Sequence, residues 1–204
     1  RGKIRDVIWS GGLGGLDFRS DAAVAILKRA DIVVTNPPFS LFREFIDLLM
    51  LYDKQFLIIG NINAVGYRNL FNNMAKCNIW CGHSCPKMFL QPDGTYKKFG
   101  ITCWFTNIGI RFIENELEIH KNYYGNESAY PQYDNADAIN VNRVSDIPVD
   151  YFGIMGVPIT FMAKYNPDQF ETLGLDSDFT TDKKSLSISG QNMYRRIFIR
   201  HRLS

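Results

Sequence analysis

The first half of the chain alternates between two apolar spacings. Apolar residues recur three and four positions apart in segments 21–30, 41–52 and 67–75, which predicts three amphipathic helices. Ser20 and Ser40 stand directly before the first two segments, where a hydroxyl can accept a hydrogen bond from a free backbone N–H. The pattern therefore predicts helices that bury one face, the first two beginning at capping residues.

Short unbroken apolar runs separate these helices. Ile32–Val34 and Phe56–Ile59 are rich in β-branched and aliphatic residues, and Asn78–Cys81 is a weaker run of the same kind. Runs of this length between helices are typical of buried strands in a parallel sheet. Residues 21–82 thus predict an α/β sheet with helices on its faces.

The pattern changes after residue 82. Pro92–Gly94 marks a turn, and residues 123–149 are rich in Asn, Asp, Tyr and Pro without clear periodicity. Strands are predicted at residues 100–107, 117–120, 170–175 and 193–199, with an apolar island at 156–161 and an exposed polar turn at 176–192. The second half is therefore expected to be a lobe rich in loops and strands.

Composition bounds the class of protein. The chain has 204 residues, of which 46% are hydrophobic and 22% charged, with a formal net charge of +2. These values are ordinary for a folded protein and exclude a disordered chain. Because no apolar run approaches the ~20 residues of a membrane span, no membrane partner is expected. The small net charge neither favours nor excludes nucleic acid, since a local basic patch can act in a neutral protein.

Four cysteines allow two interpretations. With no secretory signal in the sequence, they are expected to be reduced thiols of a cytoplasmic protein. Cys77, Cys81 and Cys85 recur every four residues, with His83 between the last two, so on an extended strand they would share one face and could bind a metal. The spacing lacks the two close pairs of a structural zinc site, which favours ordinary thiols and no metal.

The beginning of the chain carries a glycine run. Lys3–Trp9 predicts a short strand, and glycines occupy positions 11, 12, 14 and 15. Glycines after a strand can cradle a phosphate when a helix follows. The next residues, Leu16–Arg19, are not a helix start, which favours a flexible loop over a nucleotide site.

The segment Asn36-Pro37-Pro38-Phe39 follows the first predicted strand of the sheet. Ligands bind at the carboxyl ends of such strands in open α/β sheets. Two prolines fix the backbone and remove two N–H donors, so the carbonyl groups before them become rigid acceptors. The oxygens of Asn36 and Pro37 could accept both hydrogens of an adenine amino group and expose its lone pair to an electrophilic methyl group. The plainer interpretation is a strand ended by a proline turn.

This segment resembles motif IV of the amino-group DNA methyltransferases. The longer stretches Asp31–Glu44 and Lys54–Ala64 look like the EcoRI-type adenine-specific modification methylases. Further blocks that resemble the same family lie at residues 137–141, 146–148, 156–161 and 165–171. The resemblance thus runs from about residue 17 to residue 200.

The resemblance implies an architecture of the α/β class. It is a Rossmann-like class I S-adenosylmethionine-dependent methyltransferase core with a loop- and strand-rich C-terminal recognition lobe. Residues 1–122 would belong to the catalytic core and residues 123–204 to the recognition lobe, with a final strand that can return to the core. The family's main cofactor loop is expected well upstream of Asn36, yet only 35 residues precede it. The N-terminal part of the core is therefore expected to be missing from this chain.

The resemblance also assigns roles to the motif. Asn36 and Pro37 would hold the amino group of an adenine flipped out of double-stranded DNA. Pro38 would shape the turn, and Phe39 would stack on the flipped base. The methyl donor would be S-adenosylmethionine.

The cofactor would be bound upstream of the motif. By resemblance, Asp17 would accept a hydrogen bond from the adenine of S-adenosylmethionine and Phe18 would pack on its ring. The alternative is a helix-leading Asp and a core Phe. Weaker candidates are a Gly-Asn-x-Asn block formed by Gly60, Asn61 and Asn63, and two possible pocket walls for the target base, Trp104 and Phe105.

A basic end suggests DNA contact. No Asp or Glu follows Asp182, whereas the same stretch contains Lys183, Lys184, Arg195, Arg196, Arg200 and Arg202. Phosphate contacts need such a local excess of positive charge, although a solvated basic tail is equally consistent with it. Asn and Gln side chains in residues 123–175 could read adenine in the major groove.

Three functions remain open from the sequence. The first is an adenine-specific DNA methyltransferase of a restriction-modification or phage-borne system. The second is an RNA or protein amino-group methyltransferase, because these also use Asn-Pro-Pro-aromatic motifs. The third is a catalytically dead or truncated DNA-binding fragment. The downstream blocks favour the first.

Overall fold

The computed structural model describes residues 17–82, 84–91, 93–98, 100–109, 116–180 and 185–202. The predicted strand at residues 3–9, the glycine run at 11–15 and His83 lie outside these residues. No helix within them is long and apolar enough to cross a bilayer. The helices and strands in chain order are α1 (Asp21–Arg29), β1 (Ile32–Thr35), α2 (Phe42–Leu51), β2 (Gln55–Asn61), α3 (Arg68–Ala75), β3 (Trp80–Cys81), β4 (Met88–Leu90), β5 (Tyr96–Lys98), β6 (Thr102–Thr106), β7 (Ile139–Asn140), β8 (Met155–Pro158), β9 (Phe170–Leu175), β10 (Ser187–Ile188), β11 (Gln191–Asn192) and β12 (Arg196–His201).

The first sheet has the strand order β1-β2-β6-β3. β1 and β2 run parallel, with Thr35 opposite Ile58, so their carboxyl ends meet at one edge of the sheet. β6 is antiparallel to both of its neighbours and begins at this same edge, where Thr102 stands opposite Asn61. We call this edge the site edge, because Asn36–Phe39 directly follows β1 there.

The sequence predicts a serine cap at the start of α1 and of α2, and only the first of these caps forms. Ser20 caps α1, since its hydroxyl accepts a 3.3 Å hydrogen bond from the backbone N–H of Ala23. The predicted cap at Ser40 is wrong. A 3-10 turn occupies Phe39–Leu41, and the N–H of Leu41 bonds the Pro38 carbonyl at 3.0 Å before α2 starts at Phe42.

The prediction that Ile32–Val34 is buried is also wrong. β1 is the outermost strand of the first sheet in the described part of the chain. Ile32 and Val34 are 50% and 66% exposed, whereas Val33 between them is half-buried. β2 has neighbours on both sides and buries Phe56 and Ile58 completely. Apolar composition identified both strands, but their burial depends on their places in the sheet.

The second sheet accounts for most strands of the C-terminal half. Its order is β7-β8-β12-β9, with β12 antiparallel to β8 and β9. The final strand, β12, is central in the second sheet and buries Ile197, Phe198 and Ile199. Residues 117–120 form no strand and are followed by an isolated bridge between Lys121 and Pro148.

The predicted polar turn at 176–192 contains ordered structure. It includes a 3-10 helix at Asp176–Asp178 and the antiparallel pair β10–β11. Leu186 within it is 1% exposed and packs with Phe198 and Tyr133 in a small apolar cluster. Phe179 and Ile188 pack against the same cluster, so three apolar side chains anchor a segment that is mostly polar.

The two sheets share one apolar core. A continuous cluster of buried side chains runs from Leu27 and Phe42 to Ile197 and Ile199. Two polar contacts also join the halves at the surface. Arg68 at the start of α3 pairs with Asp178 at 2.6 Å, and Arg195 donates to the carbonyl of Gly66 at 3.2 Å.

Candidate active site at the sheet edge

The proline motif lies where the sequence predicts it, at the carboxyl end of β1. Asn36 and Pro38 are exposed, Pro37 is buried and Phe39 is half-buried. The buried Pro37 anchors the turn while its neighbours face outward. The Asn36 side chain is therefore accessible to a ligand at the site edge.

The turn uses one of its carbonyl groups internally. The Pro38 carbonyl accepts the hydrogen bond from Leu41 that closes the 3-10 turn. Within the described residues, no backbone N–H donates to the Pro37 carbonyl. The Asn36 amide and the Pro37 carbonyl are thus two acceptors that this turn does not consume.

The end of β2 forms the neighbouring part of the site edge. Asn61 is the last residue of the strand, and its side-chain oxygen accepts a 2.9 Å hydrogen bond from the N–H of Asn63. This bond starts a 3-10 helix at Ile62–Gly66. The Gly-Asn-x-Asn block therefore has a structural role in turning the chain at the site edge.

Asp17 and Phe18 lie before α1 and are tied to the motif by Arg19. The Arg19 guanidinium pairs with Asp17 at 2.6 Å and with Glu44, in the first turn of α2, at 3.0 Å. Hydrogen bonds from Arg19 to both carboxylate oxygens lower the pKa of Asp17 to about 2. Phe18 packs edge-on against Phe45, with ring centroids 5.1 Å apart.

The contacts between Arg19 and Asp17 affect how Asp17 could bind a cofactor. A carboxylate offers about four acceptor positions, and the backbone N–H, Nε and Nη2 of Arg19 make four contacts with the two oxygens of Asp17. Asp17 is exposed, so a ligand can reach it, but an amino group would have to compete with Arg19. Phe18 keeps part of its surface exposed, as a stacking residue must.

The two residues predicted as possible walls of the base pocket, Trp104 and Phe105, differ in their burial. Phe105 is fully buried, with its ring 5.3 Å from that of Phe42, so it is a core residue. Trp104 is half-buried and lies on the opposite face of β6, opposite Ile59. The expectation that at least one of the pair is core packing is confirmed by Phe105.

The basic end is largely engaged within the protein. Arg196 is 7% exposed, and its Nε donates to Asn140 at 3.1 Å, so for Arg196 the prediction of a DNA-facing side chain is wrong. Arg200 pairs with Glu171 at 2.7 Å, and Arg202 donates to the Pro167 carbonyl at 2.5 Å. Lys183 and Lys184 lie outside the described residues.

The four cysteines differ in their exposure. Cys85 is exposed and Cys103 buried, whereas Cys77 and Cys81 are half-buried. The Sγ atoms of Cys81 and Cys103 lie 3.9 Å apart, and this contact together with burial raises the pKa of the Cys103 thiol. In the described part of the chain, no group of three or more His, Cys, Asp or Glu side chains could hold a metal ion.

Two features of the site edge were missed from the sequence. Phe42 lies on Gly60, where a Cβ would clash with the ring. β4 and β5 form an antiparallel hairpin around the predicted turn at residues 92–94. The apolar residues before this turn and Tyr96 after it are a hairpin signal that could have been read.

Comparison with known proteins identifies the family of the chain. The family model described as "Adenine-specific methyltransferase EcoRI" matches residues 4–202. The Type II methyltransferase M.EcoRI of Escherichia coli is 43% identical over 216 residues, which cover 97% of this chain and 65% of that protein.

Two mycoplasma proteins are similar over a shorter stretch. Type II methyltransferase M.MgeORF184P of Mycoplasma genitalium and Type II methyltransferase M.MpnI of Mycoplasma pneumoniae are each 41% identical to the chain, over 177 and 179 residues. Each match covers 78% of this chain and 56% of the relative. The chain thus spans less than two thirds of the length of these relatives.

No solved structure matched the chain. The family match extends from residue 4 to residue 202 and includes the proline motif, β2 and the entire second sheet. The chain therefore belongs to the EcoRI family of adenine-specific methyltransferases.

Proposed function

We propose that the intact protein transfers a methyl group from S-adenosylmethionine to the exocyclic amino group of adenine at a specific site in double-stranded DNA. The observation that carries this proposal is the exposed Asn36 amide beside a buried Pro37 at the carboxyl end of β1. Family membership and the names of the relatives agree with it. A restriction-modification or phage-borne system is the expected setting, and a cytoplasmic location follows from acting on cellular DNA.

The motif residues bind and orient the target amino group. The Asn36 side-chain oxygen and the Pro37 carbonyl accept its two hydrogens. Two acceptors held by a proline turn favour a pyramidal nitrogen, so its lone pair points away from them. The bound cofactor supplies an electrophilic methyl group. No basic side chain is needed, since the amino proton can leave after the nitrogen has become cationic.

Phe39 provides an apolar surface for the base. It is half-buried at the start of the 3-10 turn, so part of the residue is accessible to a base. An adenine can reach this site only when it is flipped out of the duplex, which costs a few kcal/mol in lost stacking and pairing. Stacking on Phe39 and the two hydrogen bonds at Asn36 and Pro37 offset that cost.

Asp17 and Phe18 are proposed to receive the adenine of the cofactor. The segment lies at the amino end of α1 and is joined through Arg19 to the helix that follows the motif. Both residues are accessible, which fits the role. Because Arg19 occupies the acceptor positions of Asp17, cofactor binding would require the guanidinium to yield at least one of them.

The wider fold is proposed on the same grounds. The parallel pair β1–β2, with three helices in the same stretch of chain, fits part of a Rossmann-like class I methyltransferase core, whose ligands lie at the carboxyl edge. We assign residues 1–122 to this core and residues 123–204, with the second sheet, to target recognition. In this assignment the shared apolar core fixes the recognition lobe relative to the site edge.

Methylation sequencing of DNA from cells expressing the intact protein tests the proposal directly. The host should lack its own adenine methyltransferases. We expect N6-methyladenine at every occurrence of one short sequence and at no other adenines. Unmodified DNA together with specific DNA binding would favour a catalytically dead binding protein. Methylated RNA or protein with unmodified DNA would favour the other amino-group methyltransferases.

A further inference from the structure

A surface hairpin lies beside the site edge. β4 and β5 pair with Met88 opposite Lys98 and Leu90 opposite Tyr96. The connecting turn is closed by a 2.7 Å hydrogen bond from the N–H of Gln91 to the Thr95 carbonyl. The hairpin is thus an ordered two-stranded ribbon.

One face of this ribbon carries three exposed apolar side chains, with Lys98 beside them. Directly opposed and alternate residues of a ladder share a face, which places Met88, Leu90 and Tyr96 together. Their exposed fractions are 61%, 63% and 68%, and all three lie outside the two apolar core clusters. Single exposed apolar residues are common, but a contiguous group of them marks a surface that binds a partner.

The charge of the hairpin identifies the class of partner. Residues 84–101 contain three lysines, Lys87, Lys97 and Lys98, all exposed, and one acid, Asp93. Asp93 is engaged in the turn, where its carboxylate accepts hydrogen bonds from the N–H and hydroxyl of Thr95 at 2.9 and 2.6 Å. Apolar and lysine side chains on one narrow ribbon are complementary to a nucleic acid groove bordered by phosphates.

The base of the hairpin is fixed at the site edge. The carbonyl of Ile101 accepts a 2.8 Å hydrogen bond from Ile62, the residue after β2. The hydroxyl of Thr102 bonds the Pro86 carbonyl, which joins the two arms at their base. Since Thr102 stands opposite Asn61, the ribbon leaves the first sheet at the edge where β1 delivers Asn36.

We propose that the β4–β5 hairpin is a DNA-contact arm that enters a groove of the duplex next to the target adenine. A major groove admits a two-stranded ribbon of this kind. Lys87 and Lys98 contact phosphates, while Leu90 and Tyr96 pack against bases and sugars in the groove. This inference rests on the proposed function and adds a DNA contact outside the recognition lobe.

The lysine contacts are tested by the salt dependence of DNA binding. Each phosphate contact contributes about 0.9 to the slope of log K against log salt. We expect the intact protein carrying Lys87→Gln and Lys98→Gln to bind a fluorescein-labelled duplex of mixed sequence with a slope smaller by about 1.8. The control double variant, Lys28→Gln with Lys76→Gln, should keep the wild-type slope, because these exposed lysines lie in the last turn of α1 and directly after α3, away from the site edge.

The apolar contacts are tested with two matched leucines. Leu90→Ala should weaken DNA binding at every salt concentration without changing the slope, since no charge is lost. Leu51→Ala is the control, because Leu51 is 75% exposed at the far end of α2. Tyr96→Ala should weaken binding on the order of tenfold, the size expected when one aromatic contact to a base is removed.

The proposed methyl transfer and the proposed DNA contact of the hairpin can each be disproved without the other. A wild-type protein that binds DNA but transfers no methyl group to adenine overturns the proposed function and leaves the affinity tests valid. Hairpin variants with the slope and affinity of their controls overturn the DNA-contact arm, even if methyl transfer is normal. The alternative partner of these apolar residues is a second copy of the chain, and sedimentation tests for it. If Leu90→Ala dissociates a dimer and leaves DNA affinity unchanged, the hairpin binds that second copy and the proposal is wrong.

Discussion

The ring of Phe42 lies directly on the backbone of Gly60. Phe42 is the first residue of α2 and is 2% exposed, and Gly60 is the penultimate residue of β2. A Cβ at position 60 would overlap the Phe42 ring and come within 3.0 Å of Phe105. This contact holds the helix that follows the proline motif against the strand beside it, so it fixes the shape of the site edge.

Gly60→Ala should therefore destabilise the protein. Overpacking a filled core typically costs about 1–3 kcal/mol, and the displaced Phe42 would move the turn that carries Asn36. Urea unfolding should show a lower midpoint, and methyl transfer should fall with it. Gly100→Ala is the control, because nothing lies within 4 Å of its added Cβ. Equal stability of the two variants would contradict the packing account.

The carboxyl group of Asp17 should titrate at unusually low pH. Arg19 holds its pKa near 2, so the carboxylate stays charged until the pH falls well below the ordinary value of 3.8. Any stabilisation from this exposed pair is present above pH 3.8 and is lost as the pH falls through the folded-state pKa. NMR titration of the carboxyl carbon should give a midpoint near 2. In Arg19→Gln the midpoint should rise towards 3.8, and an unchanged midpoint would exclude Arg19 as the cause.

Asp17 should also affect cofactor affinity. If it accepts the amino group of the cofactor's adenine, Asp17→Ala should weaken S-adenosylmethionine binding by about tenfold, because one charge-assisted hydrogen bond to the cofactor is lost. Calorimetric titration of the intact protein measures this. Asp31→Ala is the control, since Asp31 is an exposed carboxylate before the amino end of β1. Unchanged affinity in Asp17→Ala would leave Asp17 with only its ion pair to Arg19.

Two arginines of β12 should differ sharply in their effect on stability. Arg196 is buried and shares the Asn140 oxygen with the Tyr133 hydroxyl, which donates at 2.7 Å. Arg196→Ala should lower the free energy of unfolding by about 2–3 kcal/mol, because a charged buried bond is lost and its partner is left under-satisfied. Arg200→Ala should cost at most about 1 kcal/mol, since its pair with Glu171 is half-exposed. Equal losses in urea unfolding would contradict these assignments.

Local signals predicted much of the first sheet. The order of α1, β1, α2, β2, α3 and β3 follows from apolar spacing, and the cap at Ser20 follows from a single hydroxyl. The proline motif is equally local, so its place after β1 could be predicted. The start of α2 could not, because the Pro38–Leu41 hydrogen bond forms a competing turn over Ser40.

Features that depend on distant residues were not predictable. The exposure of Ile32 and Val34 depends on where β1 lies in the sheet, and the burial of Arg196 depends on Asn140, 56 positions away. Residues 193–199 are apolar enough to form a strand in either sheet, and pairing with β8 and β9 decides between them. Composition treats all six basic residues of the C-terminal end alike, whereas the structure distinguishes Arg196 from the exposed Arg200.

The rate of methyl transfer to adenine by Asn36→Ala tests the central claim most directly. Asn72→Ala, an exposed asparagine on α3, is the matched control. Removing one preorganised hydrogen-bonding group from a reacting centre typically costs on the order of 100-fold or more in rate. We predict a loss of at least that size in single-turnover transfer by the intact Asn36→Ala protein, with DNA affinity nearly unchanged and Asn72→Ala fully active. Transfer by Asn36→Ala at the rate of the control would contradict the assignment of this edge as the active site.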